Sequence, residues 1–369
     1  MEKLKNIIED IAIDFLNNTL VMRKDICTCQ SCKNDMMAHI LSHVPAKYVT
    51  TEKGALHTII DQTRIEKEAE IGRAVINAIS VISKSPRHGG NEEEDKNQSF
   101  EILLNKIYDD RGVDFRHYHK EILKRRLSIR MNVNRVQNFS DYLRLLINSP
   151  QEYDKLFEVF CINVSEFFRD PDVWESVKKI LKELIQKKIS QNERKLIIWS
   201  SASASGEEPY SIAILVKELS KTIDTRNLSI EITGTDIDEK ALRACGKAEY
   251  PKAALKNVSD EFQKLYFTQQ FTGNFKLKDE IKRMVNFKSL DLIASDYIPN
   301  TDLVFCRNVF IYFTRSLQDQ LLMKFYRSLI EGGYFVMGKT ETMWMEAKEI
   351  FEELDFRAHI YRKRTSRPD

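Results

Sequence analysis

The spacing of apolar positions changes near Lys195 and separates two kinds of predicted structure. Beyond this residue, short apolar runs alternate with amphipathic stretches. Buried strands are predicted at KLIIWS, SIEITGTDID, TDLVFCRNV and GGYFVMGKT, and helices between them at EEPYSIAILVKEL and LQDQLLMKFYRSLI. FRAHIYRK predicts a last, antiparallel edge strand. Strands that alternate with helices in this way indicate an α/β fold with a doubly wound, mainly parallel sheet.

The chain before Lys195 is predicted to be helical, in two pieces that a polar segment separates. Apolar residues recur at helical spacing at Ile71, Val75 and Ile79, and helical patterns continue through SFEILLNKIY and YLRLLIN. Between them, SKSPRHGGNEEEDKNQS has almost no apolar residue and predicts a flexible acidic linker. The predicted parts are an N-terminal module at 1–84, the linker at 85–98, a helical domain at 99–172 and an α/β domain at 173–369.

Composition and charge argue against several classes of protein. The 369 residues carry a net charge of +2, so overall charge predicts neither a nucleic acid nor a membrane as the partner. No apolar run is long enough to span a bilayer, and the N-terminus lacks the layout of a signal peptide. We therefore expect a cytoplasmic protein. Its six cysteines do not suggest a disulfide scaffold in a chain of this length.

The stretch WSSASASGEEPYS follows a predicted strand and precedes a predicted helix, so it forms a turn at the ligand-binding edge of the sheet. Glu207 and Glu208 stand where a pyrophosphate needs backbone donors and no negative charge. A cationic ligand such as S-adenosylmethionine (SAM) fits better, because a carboxylate pairs with its ammonium group. Asp236, at the end of the next strand, suits the ribose hydroxyls. The alternative is a simple turn whose glutamates cap the helix.

Several motifs resemble, in the same order, those of the chemoreceptor glutamate O-methyltransferase (CheR) family. They are FFRDPDVW, WSSASASGEEPYSIAI, GTDIDEKALRACGKAEY, and DLVFCRNVFIYF with the following LLMKFYRSLIEGGYFVMGKTE. GVDFRHYHKEILKRRLSIRM and FSDYL resemble that family's small N-terminal helical domain. The resemblance covers about Phe100 to Arg362 and implies a Rossmann-like methyltransferase sheet with a small β-subdomain at about 247–285. It also implies SAM-dependent methylation of glutamate side chains on chemoreceptors, which serves chemotaxis adaptation.

The same resemblance implies the residues of the site. Arg169 and Tyr312 would be catalytic and orient the acceptor carboxylate; from their residue types alone, a helix-cap salt bridge and a core aromatic are the alternatives. Ser165 stands where the family usually has Thr, and Asp291 where it usually has Asn. The implied cofactor-binding residues are Asn163, Ser165, Arg169, Ala202, Glu207, Glu208, Asp236, Asp291, Leu292, Arg307 and Asn308.

The residue inventory agrees with this chemistry. An ionised glutamate carboxylate is already the nucleophile in methyl transfer, so no general base is required. The α/β part indeed shows no obvious Cys-His or Ser-His arrangement. The remaining requirement is to hold the carboxylate and the sulfonium in line, which is mainly positioning.

A basic run, HKEILKRRLSIRMNVNR, precedes the α/β part. A solvated helix face is its ordinary interpretation. A nucleic-acid surface is a second interpretation, but the run has no interleaved aromatic residues. In the CheR family this region faces the receptor, so electrostatic docking of an acidic coiled coil is the interpretation that we favour.

Three cysteines, Cys27, Cys29 and Cys32, lie within six residues of one another. In a reducing cytosol such a cluster more often binds metal than forms disulfides, and thiolates suit tetrahedral zinc. A fourth ligand would come from elsewhere; the alternative is three ordinary thiols in a small core. The candidates for the fourth ligand are Asp35, His39, His43, His57 and a partner subunit.

CTCQSCKNDMMAHILSHVPAKYVTTEKG and its flanking helices resemble the late-competence ComFB family across about residues 5–88. This resemblance implies zinc at the cysteines and a cyclic dinucleotide such as cyclic di-GMP as a regulatory ligand. Dimerisation through the module, giving a homodimer, is another use of the same surface. The alternative function for the whole chain is a non-catalytic, messenger-sensing adaptor that docks on receptors.

Overall fold

A computed structural model describes residues 5–21, 23, 25–51, 64–84, 92–161 and 163–365. The chain divides into two compact units, residues 1–99 and residues 100–369, and each is described by itself. None of the described helices is long and apolar enough to cross a membrane.

The first unit contains helices that pack around one apolar core. Helix α1 buries Ile8, Ala12, Leu16 and Leu20, which are four residues apart and therefore share one face. The described elements are β1 (Lys5–Asn6), α1 (Ile7–Val21), α2 (Gln30–His43), β2 (Tyr48–Val49) and α3 (Arg64–Lys84), and β1 pairs antiparallel with β2. The core also takes Cys32, Met36 and Ile40 from α2 and Ile71, Val75, Ala78 and Ile79 from α3.

The predicted acidic linker at 85–98 stays a prediction, and the structure describes only its second half. Residues 85–91 lie outside the described residues, but helix α4 (Glu92–Arg111) already begins within the predicted linker. The reason is that an acidic run is favourable at a helix N-terminus, where the backbone N–H groups carry partial positive charge. Residues 92–98 of the predicted linker are thus part of helix α4.

The second unit begins with a helical domain. After α4 come α5 (Lys120–Val133), α6 (Phe139–Asn148) and α7 (Gln151–Phe160). Asn138 caps α6, since its side chain accepts a hydrogen bond from the N–H of Asp141 at 2.9 Å. The helices enclose a core that includes Phe100, Leu104, Phe115, Leu127, Leu146 and Leu156.

A buried ion pair ties α5 to α7. Arg130 donates two hydrogen bonds of 2.8 Å to the carboxylate of Glu152, which also accepts from Tyr142 and Asn134 at 2.9 Å. Burial acts to raise the pKa of Glu152, but these donors outweigh it and the pKa is lowered. Arg130, one of the cations of the basic run, is therefore a structural residue of the domain.

The remaining chain forms the α/β domain. Its elements in chain order are α8 (Pro171–Ser190), β3 (Lys195–Ser201), α9 (Glu207–Leu219), β4 (Ser229–Asp236), α10 (Glu239–Lys247), β5 (Glu249–Tyr250), α11 (Asp260–Tyr266), β6 (Phe267–Gln269), β7 (Phe275–Leu277) and α12 (Asp279–Lys282). They continue with β8 (Val285–Ser289), β9 (Thr301–Cys306), α13 (Arg315–Ser328), β10 (Leu329–Met337), α14 (Met345–Lys348), β11 (Phe351–Asp355) and β12 (Ile360–Lys363).

The described strands of the main sheet lie in the order β11-β12-β10-β9-β3-β4-β8. β10, β9, β3, β4 and β8 are parallel, and β12 is antiparallel to both of its neighbours. The predicted mainly parallel α/β sheet is therefore confirmed. The last strand is antiparallel as predicted, but it is not the edge strand, because β11 pairs outside it. β8 was not predicted. It lies at the edge of the sheet away from β11, where several of its side chains are exposed and no apolar run is required.

The sheet is covered on both faces. Leu196 and Ile198 of β3 point to one core with α8 and α9, whereas Trp199 points to the other core with α13. This alternation follows from the twofold repeat of side chains along a strand. The predicted β-subdomain at about 247–285 corresponds to a three-stranded antiparallel sheet in the order β5-β7-β6, but Val285 already belongs to the main sheet.

We predict that Arg130→Met lowers the free energy of unfolding by about 3 kcal/mol, because it leaves the carboxylate of Glu152 buried without its cation. Arg125→Met, an exposed position on the same helix, should change it by less than about 0.5 kcal/mol. Denaturant unfolding at neutral pH measures both. Since the pKa of Glu152 is lowered on folding, the contribution of the pair is present at neutral pH and lost as the pH falls below about 4. Equal losses in both variants would contradict the assignment.

Candidate cofactor and active site

The carboxyl ends of the central strands are level with one another. Ser201 at the end of β3 pairs with Thr235 of β4 on one side and with Cys306 of β9 on the other. The chain leaves β3 towards β4 and later returns to β9 on the opposite side, so this is the point where the strand order reverses. Ligands of doubly wound sheets bind in the crevice at such a point.

The small-residue loop after β3 has an unusual backbone. Ala202, Ala204 and Gly206 have φ angles of 56°, 47° and 93°, in the left-handed region. A Cβ on Gly206 would lie 3.0 Å from Sγ of Cys245, and its φ also favours glycine. Non-glycine residues in this region carry strain, and such strain concentrates at ligand-binding sites. The loop therefore presents backbone and small side chains to the crevice.

Asp236 joins this loop to the end of β4. One of its carboxylate oxygens accepts the N–H of Ala204 at 2.8 Å, and the other accepts the N–H of Asp238 at 2.9 Å. Burial raises the pKa of Asp236. Both oxygens are thus held by backbone donors, which fixes the carboxylate at the crevice.

The two adjacent glutamates have different environments. Both oxygens of Glu207 accept from Oγ of Ser205 at 2.9 Å, and this side chain does not line the cavity. Glu208 does line it, and its carboxylate accepts from Oγ of Ser200 at 2.9 Å and lies 3.5 Å from Arg307. Burial raises the pKa of both carboxyl groups. Glu208 thus lines the cavity itself, whereas Glu207 lies beside it, bound to Ser205.

Arg307, just after β9, is the buried cation of the site. Its side chain is 2% exposed. It donates to the carboxylate of Asp170 at 2.7 Å and to the carbonyl of Arg169 at 3.0 Å, in addition to its pairing with Glu208. Arg307 thereby holds the turn that carries Arg169 against the end of the sheet.

Arg169 and Tyr312 line the same cavity. Nη1 of Arg169 donates to the carbonyl of Val164 at 3.1 Å. Burial raises the pKa of the Tyr312 hydroxyl, while the charges of Arg126 and Arg169 lower it. The tyrosine and the arginine therefore face one cavity.

The remaining predicted residues also lie at the cavity. Asn163 donates to Asp238 at 2.6 Å, and one oxygen of Asp291 accepts the N–H of Ile293 at 2.7 Å. Asn308 has a left-handed φ of 62°. The predicted residues that line the cavity are Asn163, Ser165, Arg169, Ala202, Glu208, Asp236, Asp291, Leu292, Arg307, Asn308 and Tyr312.

A buried carboxylate that sequence reasoning missed supports the loop between Arg307 and Tyr312. Glu341 is 3% exposed and accepts the N–H groups of Phe310 at 2.7 Å and Gly338 at 2.6 Å. Burial raises its pKa, and the backbone donors oppose this rise. Its partners are main-chain groups, so no side-chain motif indicated this role.

Lys324 of α13 supports the part of the cavity wall that Leu292 and Ile293 form. Its ammonium group donates to the carbonyls of Leu292, Ile293 and Ser295 at 2.8–3.1 Å and lies 4.3 Å from the ring centre of Tyr297. Burial lowers its pKa. One cation thus fixes the backbone of the segment that carries Asp291 and Leu292.

The cysteine cluster of the first unit has geometry that fits a metal. The sulfur atoms of Cys27, Cys29 and Cys32 all lie within 4.8 Å of one another, and tetrahedral zinc would hold them about 3.8 Å apart. A hydrogen bond from the N–H of Cys32 lowers the pKa of Cys29, whereas burial raises that of Cys32 to about 12. Among the described residues no fourth ligand joins the cluster, and His57 lies outside them.

Comparison with known families agrees with this site. The SAM-binding domain of CheR methyltransferases matches residues 163–360, which is more than half of the chain. The chain belongs to the CheR methyltransferase family. The all-alpha domain of the same family matches residues 98–161, and the late competence development protein ComFB matches residues 5–86. Both predicted resemblances are confirmed, and this CheR family member is a SAM-dependent methyltransferase.

Individual relatives carry names of the same kind. The chemotaxis protein methyltransferase of Borreliella burgdorferi is 30% identical over 246 residues, which are 65% of this chain and 87% of that protein. That of Vibrio anguillarum is 32% identical over 226 residues, 60% of this chain and 81% of that protein. The solved structure of ComFB from Bacillus subtilis is 28% identical, with a TM-score of 0.21, and the match covers 23% of this chain and 92% of that one.

We predict that Gly338→Ala lowers methyl transfer roughly 100-fold, because a misplaced active-site loop loses near-attack geometry. The added Cβ would lie 2.7 Å from both the N–H nitrogen of Asn308 and Oε2 of Glu341. Gly246→Ala is the matched control, since its Cβ would meet nothing within 4 Å. Steady-state kinetics and thermal unfolding should be measured on both. Unchanged turnover in Gly338→Ala would show that the loop does not depend on this contact.

Proposed function

We propose that this CheR family member methylates glutamate side chains on the cytoplasmic domains of chemoreceptors, as part of chemotaxis adaptation. One observation carries the proposal: Glu208, Asp236, Arg169 and Tyr312 line one cavity at the carboxyl ends of the central strands. The names of the relatives support the choice of acceptor.

The residues present fit the cofactor. SAM supplies a methyl group that is activated by its sulfonium. Glu208 would hold the ammonium group, and Asp236 the ribose hydroxyls. Asp291 and Leu292, on the segment fixed by Lys324, would bind the adenine; a carboxylate accepts from its amino group as the usual Asn does.

Arg169 and Tyr312 would orient the acceptor. One guanidinium N–H of Arg169 is used by the carbonyl of Val164, which holds the side chain while its other N–H groups remain for a carboxylate. Tyr312 stays protonated, because burial raises its pKa, and so donates one hydrogen bond. The acceptor glutamate attacks as a carboxylate, and no residue of the chain needs to remove a proton.

Receptor docking would use only some of the cations in the basic run, because others pair with carboxylates of this chain. Arg130 is buried with Glu152, and Lys120 pairs with Glu101. Arg125 and Arg135 are exposed and form the part of the run that an acidic helix would meet.

Transfer of labelled methyl from SAM to a purified chemoreceptor cytoplasmic fragment tests the function. We expect base-labile label on glutamate with the wild-type protein. Arg169→Ala should lower turnover at least 100-fold without changing the melting temperature, because acceptor alignment is lost. Arg226→Ala, at an exposed loop position, is the matched control.

Retained turnover in Arg169→Ala would remove its proposed role. If the wild-type protein binds the cofactor but labels no receptor glutamate, either the acceptor is different or the chain is the non-catalytic adaptor considered above.

For the N-terminal module, we propose a zinc ion at Cys27, Cys29 and Cys32 and regulation of the enzyme by a cyclic dinucleotide, with a homodimer formed through the module. The three converging sulfur atoms and the match to ComFB support the metal. The basic and aromatic residues on this unit, such as exposed Arg73 and Tyr48, offer cationic and stacking contacts for a cyclic dinucleotide.

Metal analysis of the full-length chain tests this assignment. We expect about one zinc per chain in the wild type and in the control Cys245→Ser, and a loss of zinc in Cys32→Ser, because thiolates are the preferred ligands of zinc.

Adding cyclic di-GMP to the methyl-transfer assay should change the rate of methyl transfer. Equal zinc in Cys32→Ser, or a rate that does not respond to cyclic di-GMP, would contradict the respective part.

A further inference from the structure

Tyr118 is a cavity residue to which the sequence motifs assigned no role. It belongs to the helical domain, just before α5, yet it lines the same cavity as Asp236, Asp291 and Leu292. It is therefore a side chain from outside the sheet domain that faces the proposed adenosine contacts.

Its position is fixed by backbone and ring contacts. Tyr118 forms an antiparallel bridge with Phe313, flanked by hydrogen bonds from His119 N–H to the Tyr312 carbonyl at 2.8 Å and from Thr314 N–H to the His117 carbonyl at 2.9 Å. Its ring packs edge-on against Phe313, with a centre distance of 4.9 Å. A second edge contact, with Phe115, has a centre distance of 5.1 Å. The ring thus has little freedom to turn away from the cavity.

The hydroxyl of Tyr118 makes no hydrogen bond within the part of the chain that the structure describes. Burial raises its pKa far above the ordinary value, and the neighbouring Cys161, Asp291 and Asp236 raise it further. The phenol is therefore a neutral donor at physiological pH. Tyr118 is half-buried and lines the cavity, so its hydroxyl is available to a ligand there.

We propose that Tyr118 binds the cofactor, and that its hydroxyl donates a hydrogen bond to the adenosine portion of SAM. The inference rests on the proposed function, which assigns Asp236 to the ribose and Asp291 to the adenine. Both are acceptors, so Tyr118 adds a donor to that end of the cavity. Ribose oxygens and adenine ring nitrogens are the acceptors that it meets. The helical domain thereby completes the cofactor site.

Titration calorimetry with S-adenosylhomocysteine, and displacement of it by adenosine, test this inference on the full-length chain. Tyr118→Phe should bind both ligands about three- to tenfold more weakly, the effect of losing one hydrogen bond. Its melting temperature without ligand should be unchanged, because no protein partner is lost. Tyr108→Phe is the matched control, since Tyr108 lies on α4, outside the cavity.

Other results of these measurements would contradict the role of Tyr118 in cofactor binding. Equal affinities of Tyr118→Phe and wild type for both ligands would overturn the inference and leave the proposed function standing. A wild-type chain that does not bind S-adenosylhomocysteine would overturn both. A higher KM for the receptor with unchanged cofactor affinity would assign the hydroxyl to the acceptor. A lower melting temperature without ligand, with unchanged affinity, would make Tyr118 a packing residue only.

Discussion

The guanidinium of Arg307 is almost completely withdrawn from water, and a charge in that position must be met by protein groups. Its partners come from distant parts of the chain: Asp170 and the carbonyl of Arg169 on one side, and Glu208 on the other. These contacts place the proposed acceptor contact and the proposed ammonium contact along one cavity. Removing the cation would leave Glu208 buried without its ion-pair partner, which costs more than the pair itself contributes.

The carboxylates of the cavity explain why the ligand should be a cation. Burial raises the pKa of both Glu208 and Asp236, so their ionised forms are disfavoured relative to water. In the proposed function, the ammonium of SAM would relieve part of that cost at Glu208, and the hydroxyls of a ribose would donate hydrogen bonds to Asp236. The proposal therefore assigns an electrostatic contact to Glu208 and hydrogen bonds to Asp236.

The central strands could be predicted because strands covered on both faces need continuous apolar runs, whereas the edge strands β8 and β11 could not, since half of their side chains meet water. Asp236 could be predicted because it directly ends a strand. That Glu208 lines the cavity and Glu207 lies beside it could not be predicted, because both begin the same helix and only the fold decides which way each carboxylate faces. Glu341 binds backbone groups and Tyr118 comes from another domain, so neither belongs to a local side-chain pattern.

The backbone bridge between Tyr118 and Phe313 has a consequence for how this chain can be divided. A cut near residue 99 separates two units that each have their own core. A cut after residue 161 leaves a sheet with its own apolar layers but removes one wall of the cavity. Because α4 begins at Glu92, an exchangeable cassette that carries the whole cavity has to include this helix together with the helical domain and the sheet.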